Sequence, residues 1–108
     1  MWKQAIEPAK AAYELTAGFP AFELYRLTSQ MRRSSVSIAS NMAEGAARGS
    51  DKEFIHFLYI AMGSVAEPDT QYILSKEPQF TKSNVEFEKS LADIRKVTSG
   101  LIRHLKNK

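Results

Sequence analysis

The sequence predicts an all-α, single-domain protein built as a four-helix bundle, and three observations carry that prediction. Apolar residues recur at steps of three and four along most of the chain, and no segment alternates with period two. Glycine, proline and serine punctuation cuts the pattern into four segments. The 108 residues, 44% of them hydrophobic, leave room for one domain with a modest core.

The first segment runs from about Trp2 to Ala17. Trp2, Ile6, Ala9, Tyr13 and Thr16 fall at steps of four and three and make one face of a helix. Gly18-Phe19-Pro20 ends it, since glycine relieves a helix C-terminus and proline suits the first turn of the next helix. The second helix is expected from about Phe22 to Arg48, with Gly45 and Gly49 bracketing its end.

Ser50-Asp51-Lys52-Glu53 reads as a capping box for the third helix, with Ser50 as N-cap and Glu53 reaching back to the cap's N–H. Phe54 to Ala66 follows, apolar at every position except His56, Gly63 and Ser64. A helix hydrophobic nearly all round is covered on more than one side. A partner subunit is therefore expected, with Phe54, Phe57, Tyr59 and Ile60 as interface residues. Pro68 interrupts the pattern. Proline inside a helix removes a backbone bond and clashes with the preceding turn, costing about 3 kcal/mol, so a kink or break is expected near Ser64 to Glu67.

Pro78 marks the following turn, and a second capping box, Ser83 to Glu86, announces the fourth helix. Its seam reads Phe87, Leu91, Ile94, Thr98, Leu101 and Leu105, the alternating spacing of left-handed bundle packing.

Composition narrows the chemistry. Fifteen Lys and Arg against twelve Asp and Glu give a net charge of +3, which permits a nucleic-acid partner without requiring one. The absence of cysteine rules out a disulfide framework and a thiolate metal site. His56 and His104 have no second ligand at a familiar spacing, so no metal or cofactor is expected. No nucleophile elbow or glycine-rich phosphate loop is present. A Glu44–Glu67 carboxylate pair would lack any further catalytic partner, and a non-catalytic protein is expected. No apolar run is long enough for a membrane span, and Lys3, Gln4 and Glu7 directly after Trp2 do not read as a secretory signal. The expected location is cytoplasmic.

The stretch MRRSSVSIASNMAEG, Met31 to Gly45, is the most informative. Ser34, Ile38, Asn41 and Gly45 share one helical face, with Ser37, Ser40 and Glu44 beside it. Small residues let a neighbouring helix approach closely, and serine hydroxyls can bond carbonyls one turn back. Asn41, Glu44 and Glu67 are expected as a buried polar network that fixes one register. The alternative is a ligand cleft lined by Asn41 and Glu44. Arg32, Arg33, Arg48 and Lys52 are the main candidates for phosphate contact. Lys82, Lys89, Lys96 and Arg103 recur every seven residues and form a second candidate, a ridge that could follow a nucleic-acid backbone. Glu86, Glu88 and Asp93 lie among them, and the alternative there is a solvated outer face.

Leu27 to Gly45, followed by Lys52 to Glu67, resembles the small four-helix-bundle proteins encoded within intervening sequences of bacterial 23S ribosomal RNA genes. The likeness rests on Gln30, Arg32, Arg33, Ser37, Ile38, Asn41, Ala43, Glu44 and Gly45, then on Phe54, Tyr59, Gly63, Ser64 and Glu67. It implies an up-down-up-down bundle that assembles into a ring, usually a pentamer. It also implies kinship with the accessory proteins of diversity-generating retroelements, basic barrels of similar bundles associated with nucleic acid and a reverse transcriptase. No enzymatic activity comes with the resemblance. The chain departs from the family pattern at Pro68–Asp69, where apolar and acidic residues are usual, and at Ala46–Ala47, where bulkier, more basic pairs are common. The combined expectation is a non-catalytic homo-oligomer that contacts structured RNA by charge and shape. The alternative is an oligomeric scaffold that recruits another protein.

Overall fold

Short connections join helices that run in alternating directions. The computed structural model describes residues 1–108. It contains α1 (Trp2–Thr16), a 3-10 turn (Ala21–Glu23), a π-helical turn (Leu24–Thr28), α2 (Ser29–Ala47), α3 (Asp51–Lys76) and α4 (Val85–Lys106). Lys108, just past α4, reaches Asp51 at the start of α3, while Glu88 near the start of α4 meets Tyr72 near the end of α3. Each helix packs against two neighbours, α1 and α3 both lying between α2 and α4. The result is an up-down-up-down bundle of 47 × 23 × 19 Å with no strand.

The core is a file of apolar side chains from every helix, among them Met31, Ile38, Leu58, Val65, Phe87 and Ile94. The α4 seam holds at Phe87, Leu91, Ile94, Thr98 and Leu105, with Ile102 buried more deeply than Leu101. Phe19 and Phe22 both pack on Phe80, at 6.1 and 5.9 Å between ring centroids, and close one end of the bundle.

Three local expectations are corrected. The buried face of α1 is Ala5, Pro8, Ala12, Leu15 and Thr16, while Trp2 and Tyr13 are about half exposed. The helical period is right and its phase is not, because small residues bring α1 close to α2 and α4. The cap of α4 is Asn84 instead of Ser83. Its Oδ1 accepts from Phe87 N–H at 2.8 Å, and its own N–H donates to the Tyr72 hydroxyl at 2.6 Å, pinning it in an extended conformation.

The third correction is to the break expected at Pro68. α3 runs unbroken from Asp51 to Lys76 with Pro68 inside it. The proline ring is fully buried, and its burial, with packing along both flanks of a 26-residue helix, offsets the lost backbone bond. Pro8 is accommodated inside α1 in the same way. At the other end of α3, the Ser50 hydroxyl accepts from Glu53 N–H at 3.2 Å, as the capping box predicts. The Glu53 carboxylate instead turns to within 4.0 Å of Arg48.

Candidate functional site

The polar residues of α2 are satisfied partly by the helix that lies against it and partly by α2 itself. The Ser34 hydroxyl donates to Gln71 Oε1 of α3 at 2.8 Å, a part-buried cross-helix bond. Ser37 Oγ donates to the Ser34 carbonyl and Asn41 Nδ2 to the Ser37 carbonyl, each at 2.8 Å, so two polar groups are satisfied within their own helix. Around Ser34 opens a cleft between α2 and α3 with no apolar lining: Gln30, Arg33, Ser34, Ser37, Ser64, Glu67 and Gln71. Five of these residues, Gln30, Arg33, Ser37, Ser64 and Glu67, belong to the pattern that carries the resemblance.

The expected network of Asn41, Glu44 and Glu67 does not assemble within the chain. Gly45 takes the position that faces Phe54 and Phe57, which turns its neighbour Glu44 out to solvent, where it pairs with Arg48 at 2.6 Å. Asn41 spends its amide on its own helix, and Glu67 is exposed at the cleft. The lock across the two helices is Ser34–Gln71. The spacing of Ser64 and Gln71 on one face of α3 is visible in the sequence, but the α2–α3 register that pairs Gln71 with Ser34 is not.

The nominated cations divide sharply. Arg32 is half-buried and engaged within the chain: its Nε donates to Thr16 Oγ1 at 2.9 Å and its guanidinium lies 4.7 Å over the Tyr13 ring, tying α2 to α1. Arg33, next to it, is exposed and makes no ion pair. Arg48 is engaged with Glu44 and lies 5.0 Å over the Phe57 ring. The ridge of four cations on α4 is not continuous. Lys82 lies in the turn before the helix, and Lys89 pairs with Asp93 at 2.9 Å, a hydrogen bond and charge that raise the lysine's pKa. Lys96 and Arg103 stay exposed and without an ion pair.

Antiparallel packing then gathers Lys52 at the start of α3 with Arg103, Lys106 and Lys108 at the end of α4. Lys106 Nζ donates to the Tyr59 hydroxyl at 2.7 Å and lies 5.1 Å from the ring centroid, and Lys108 pairs with Asp51 at 3.1 Å. The last-turn cations complement the negative end of the α4 dipole. Nothing in the sequence pattern marks Lys106 and Lys108, because only the bundle topology sets the end of α4 beside Asp51 and Lys52.

The four interface candidates also divide. Phe54 and Phe57 are half-buried against Gly45 of their own chain, whereas Tyr59 and Ile60 are exposed. The outward face they begin continues along α3 through Gly63, Ala66 and Thr70 to Ile73 and Leu74, both more than half exposed. No group of three or more His, Cys, Asp or Glu side chains is placed to hold a metal ion, and no helix is long and apolar enough to cross a membrane.

The family model described as 23S rRNA-intervening sequence protein matches residues 1–103, a span that includes all of α1, α2 and α3 and nearly all of α4. No curated protein matches the chain.

Proposed function

The chain belongs to the 23S rRNA-intervening sequence protein family, and from that membership we propose a non-catalytic, oligomeric, cytoplasmic bundle that associates with structured RNA. The observation that carries this reading is the basic end where α4 finishes and α3 begins. Asp51 is paired there with Lys108, and Glu44 and Glu53 share Arg48, so Lys52, Arg103 and Lys106 have no carboxylate partner and the five cations outnumber the three carboxylates by two. Double-helical RNA is contacted mainly through phosphates and 2′-hydroxyls, chemistry that suits exposed cations at the end of a bundle.

The unpartnered face of α3 supports assembly, and the resemblance favours a five-fold ring. Repetition of the basic end around such a ring would add many weak phosphate contacts into one useful affinity. The test is to titrate a hairpin RNA into the wild type and into Arg103→Ala/Lys106→Ala at two salt concentrations. The variant should keep its oligomeric state, bind more weakly and show a shallower salt dependence. Equal affinity and equal salt slope would overturn the reading. In the alternative reading, an oligomeric scaffold that recruits another protein, the assembled chain would co-purify with that partner and carry little nucleic acid.

A further inference from the structure

We propose that the groove between α1 and the π-helical turn is a platform for unpaired RNA bases. The proposal rests on the RNA reading above and adds to it a second contact, for single-stranded nucleotides. Tyr13, Leu24, Tyr25, Arg32, Arg33 and Val36 line the groove. Tyr25 is 90% exposed and Tyr13 50%, and Leu24 and Val36 are also open to solvent. Large apolar side chains gathered on one open surface mark a place where something else packs.

The local backbone explains why they stand out. Leu24–Thr28 forms a π-helical turn, capped where Glu23 Oε2 accepts from Leu27 N–H at 3.3 Å. Such turns are rare and concentrate at functional sites. Here the turn precedes α2 and coincides with the two outward residues Leu24 and Tyr25.

The chemistry of the lining selects the occupant. Two guanidinium groups and no carboxylate line the groove, so its field favours an anion. Its exposed tyrosine rings favour flat, apolar bodies. An unpaired nucleotide combines both properties, with a base to stack on Tyr25 and a phosphate for Arg33. A base inside a duplex offers no free face, so double-stranded RNA does not fit this groove. Arg32, fixed by Thr16 over the Tyr13 ring, stiffens the floor instead of reaching outward. The groove at Arg33 lies roughly 20 Å along α2 from the basic end near Ala47, at 1.5 Å rise per residue, so the two contacts can be measured separately.

The experiment uses an unstructured, uridine-rich single-stranded RNA and a blunt RNA duplex, each titrated into wild type, Tyr25→Ala and Tyr25→Phe, with sedimentation of all three proteins. Tyr25→Ala should bind the single strand about ten-fold more weakly, in line with the loss of one stacked base. Tyr25→Phe should retain wild-type affinity, and duplex binding should not change. Unaltered single-strand binding in Tyr25→Ala, or equal weakening toward both RNAs, overturns the proposal. So does dissociation of the Tyr25→Ala oligomer, which would assign the groove to a second copy of the chain. A wild type that binds duplex but not single strand removes the groove and leaves the basic-end reading standing. Binding of neither RNA removes both.

Discussion

A methyl group added at Gly45 would stand 2.6 Å from Cβ of Phe57, and 3.1 Å from Cδ1 of Phe54. The last turns of α2 and the first turns of α3 therefore meet where α2 carries no side chain. A Cβ atom is fixed to its backbone and cannot swing aside, so the helices themselves would have to part. Gly45→Ala should destabilise the bundle by about 1–3 kcal/mol, as overpacking does. The measurement is a urea melt, with a lower midpoint and an unchanged slope expected. An unchanged midpoint would mean that the two helices yield easily at this point.

Two adjacent serines should respond with opposite sign. Ser34 Oγ bonds Gln71 across the α2–α3 interface, whereas Ser35 Oγ is fully buried and has no partner. Ser34→Ala removes the cross-helix bond to Gln71 and should cost about 1 kcal/mol. Ser35→Ala removes an unsatisfied hydroxyl and should be neutral or stabilising. If the Ser35 variant melts as low as the Ser34 variant, its hydroxyl has a partner and the contrast is wrong.

These serines also show how far the sequence could be read. Spacing reveals that a helix has an apolar face, but small residues can carry the true one, as Ala5, Pro8 and Ala12 do in place of Trp2 and Tyr13. Propensity condemned Pro68, and tertiary burial overrode it, since an isolated helix has no core in which to place the ring. Gly45 was legible because close approach demands glycine. The Ser34–Gln71 bond and the basic end at Lys52 and Lys106 were not, because both depend on how separate helices are set against each other.

Arg32 and Arg33 differ more in the structure than in the sequence. Arg32→Ala loses a charged hydrogen bond to Thr16 and the contact with the Tyr13 ring, and should lower stability by about 1–2 kcal/mol. Arg33→Ala touches no internal partner and should change stability by less than about 0.5 kcal/mol. Thermal melts of the two single variants make the comparison. Equal destabilisation would show that Arg33 also has a structural partner, such as Glu67 across the polar cleft.

Alkaline pH should weaken the junction of α3 and α4. The Tyr72 hydroxyl donates to Glu88 and accepts from Asn84 N–H. Burial, and then the hydrogen bond to Glu88, push its pKa above the ordinary value of 10.0. The folded state thus holds this proton more tightly than the unfolded chain. The stabilisation is fully present below pH 10 and is lost as pH rises above 10 through the folded value. Tyr72→Phe should cost about 1–2 kcal/mol at neutral pH and flatten that alkaline decline. Urea melts at pH 7 and at several values above 10 would show it, and parallel pH profiles for the two proteins would exclude Tyr72 as the cause.

The outward face of α3 leads to the last prediction. Tyr59 and Ile60 at one end and Ile73 and Leu74 at the other are exposed, with Gly63, Ala66 and Thr70 between them. Ile60, Gly63, Glu67, Thr70 and Leu74 alternate steps of three and four, the spacing of a helix that packs along its length. A Cβ at Gly63 would meet nothing within 4 Å, so the middle of the face lies open to a neighbouring backbone. Each large side chain is already about half buried, so covering it contributes roughly half of the 1.5–3 kcal/mol of full burial, and the sum offsets part of the cost of association. The wild type should sediment well above its monomer mass of 12.1 kDa at micromolar concentration. Ile73→Lys places a charge on this face without touching the core, so it should shift the protein toward monomer with an unchanged helical circular-dichroism spectrum. A monomeric wild type would sink the prediction. A variant that stays assembled would instead move the interface to another face, with the groove at Tyr25 the first to be tested.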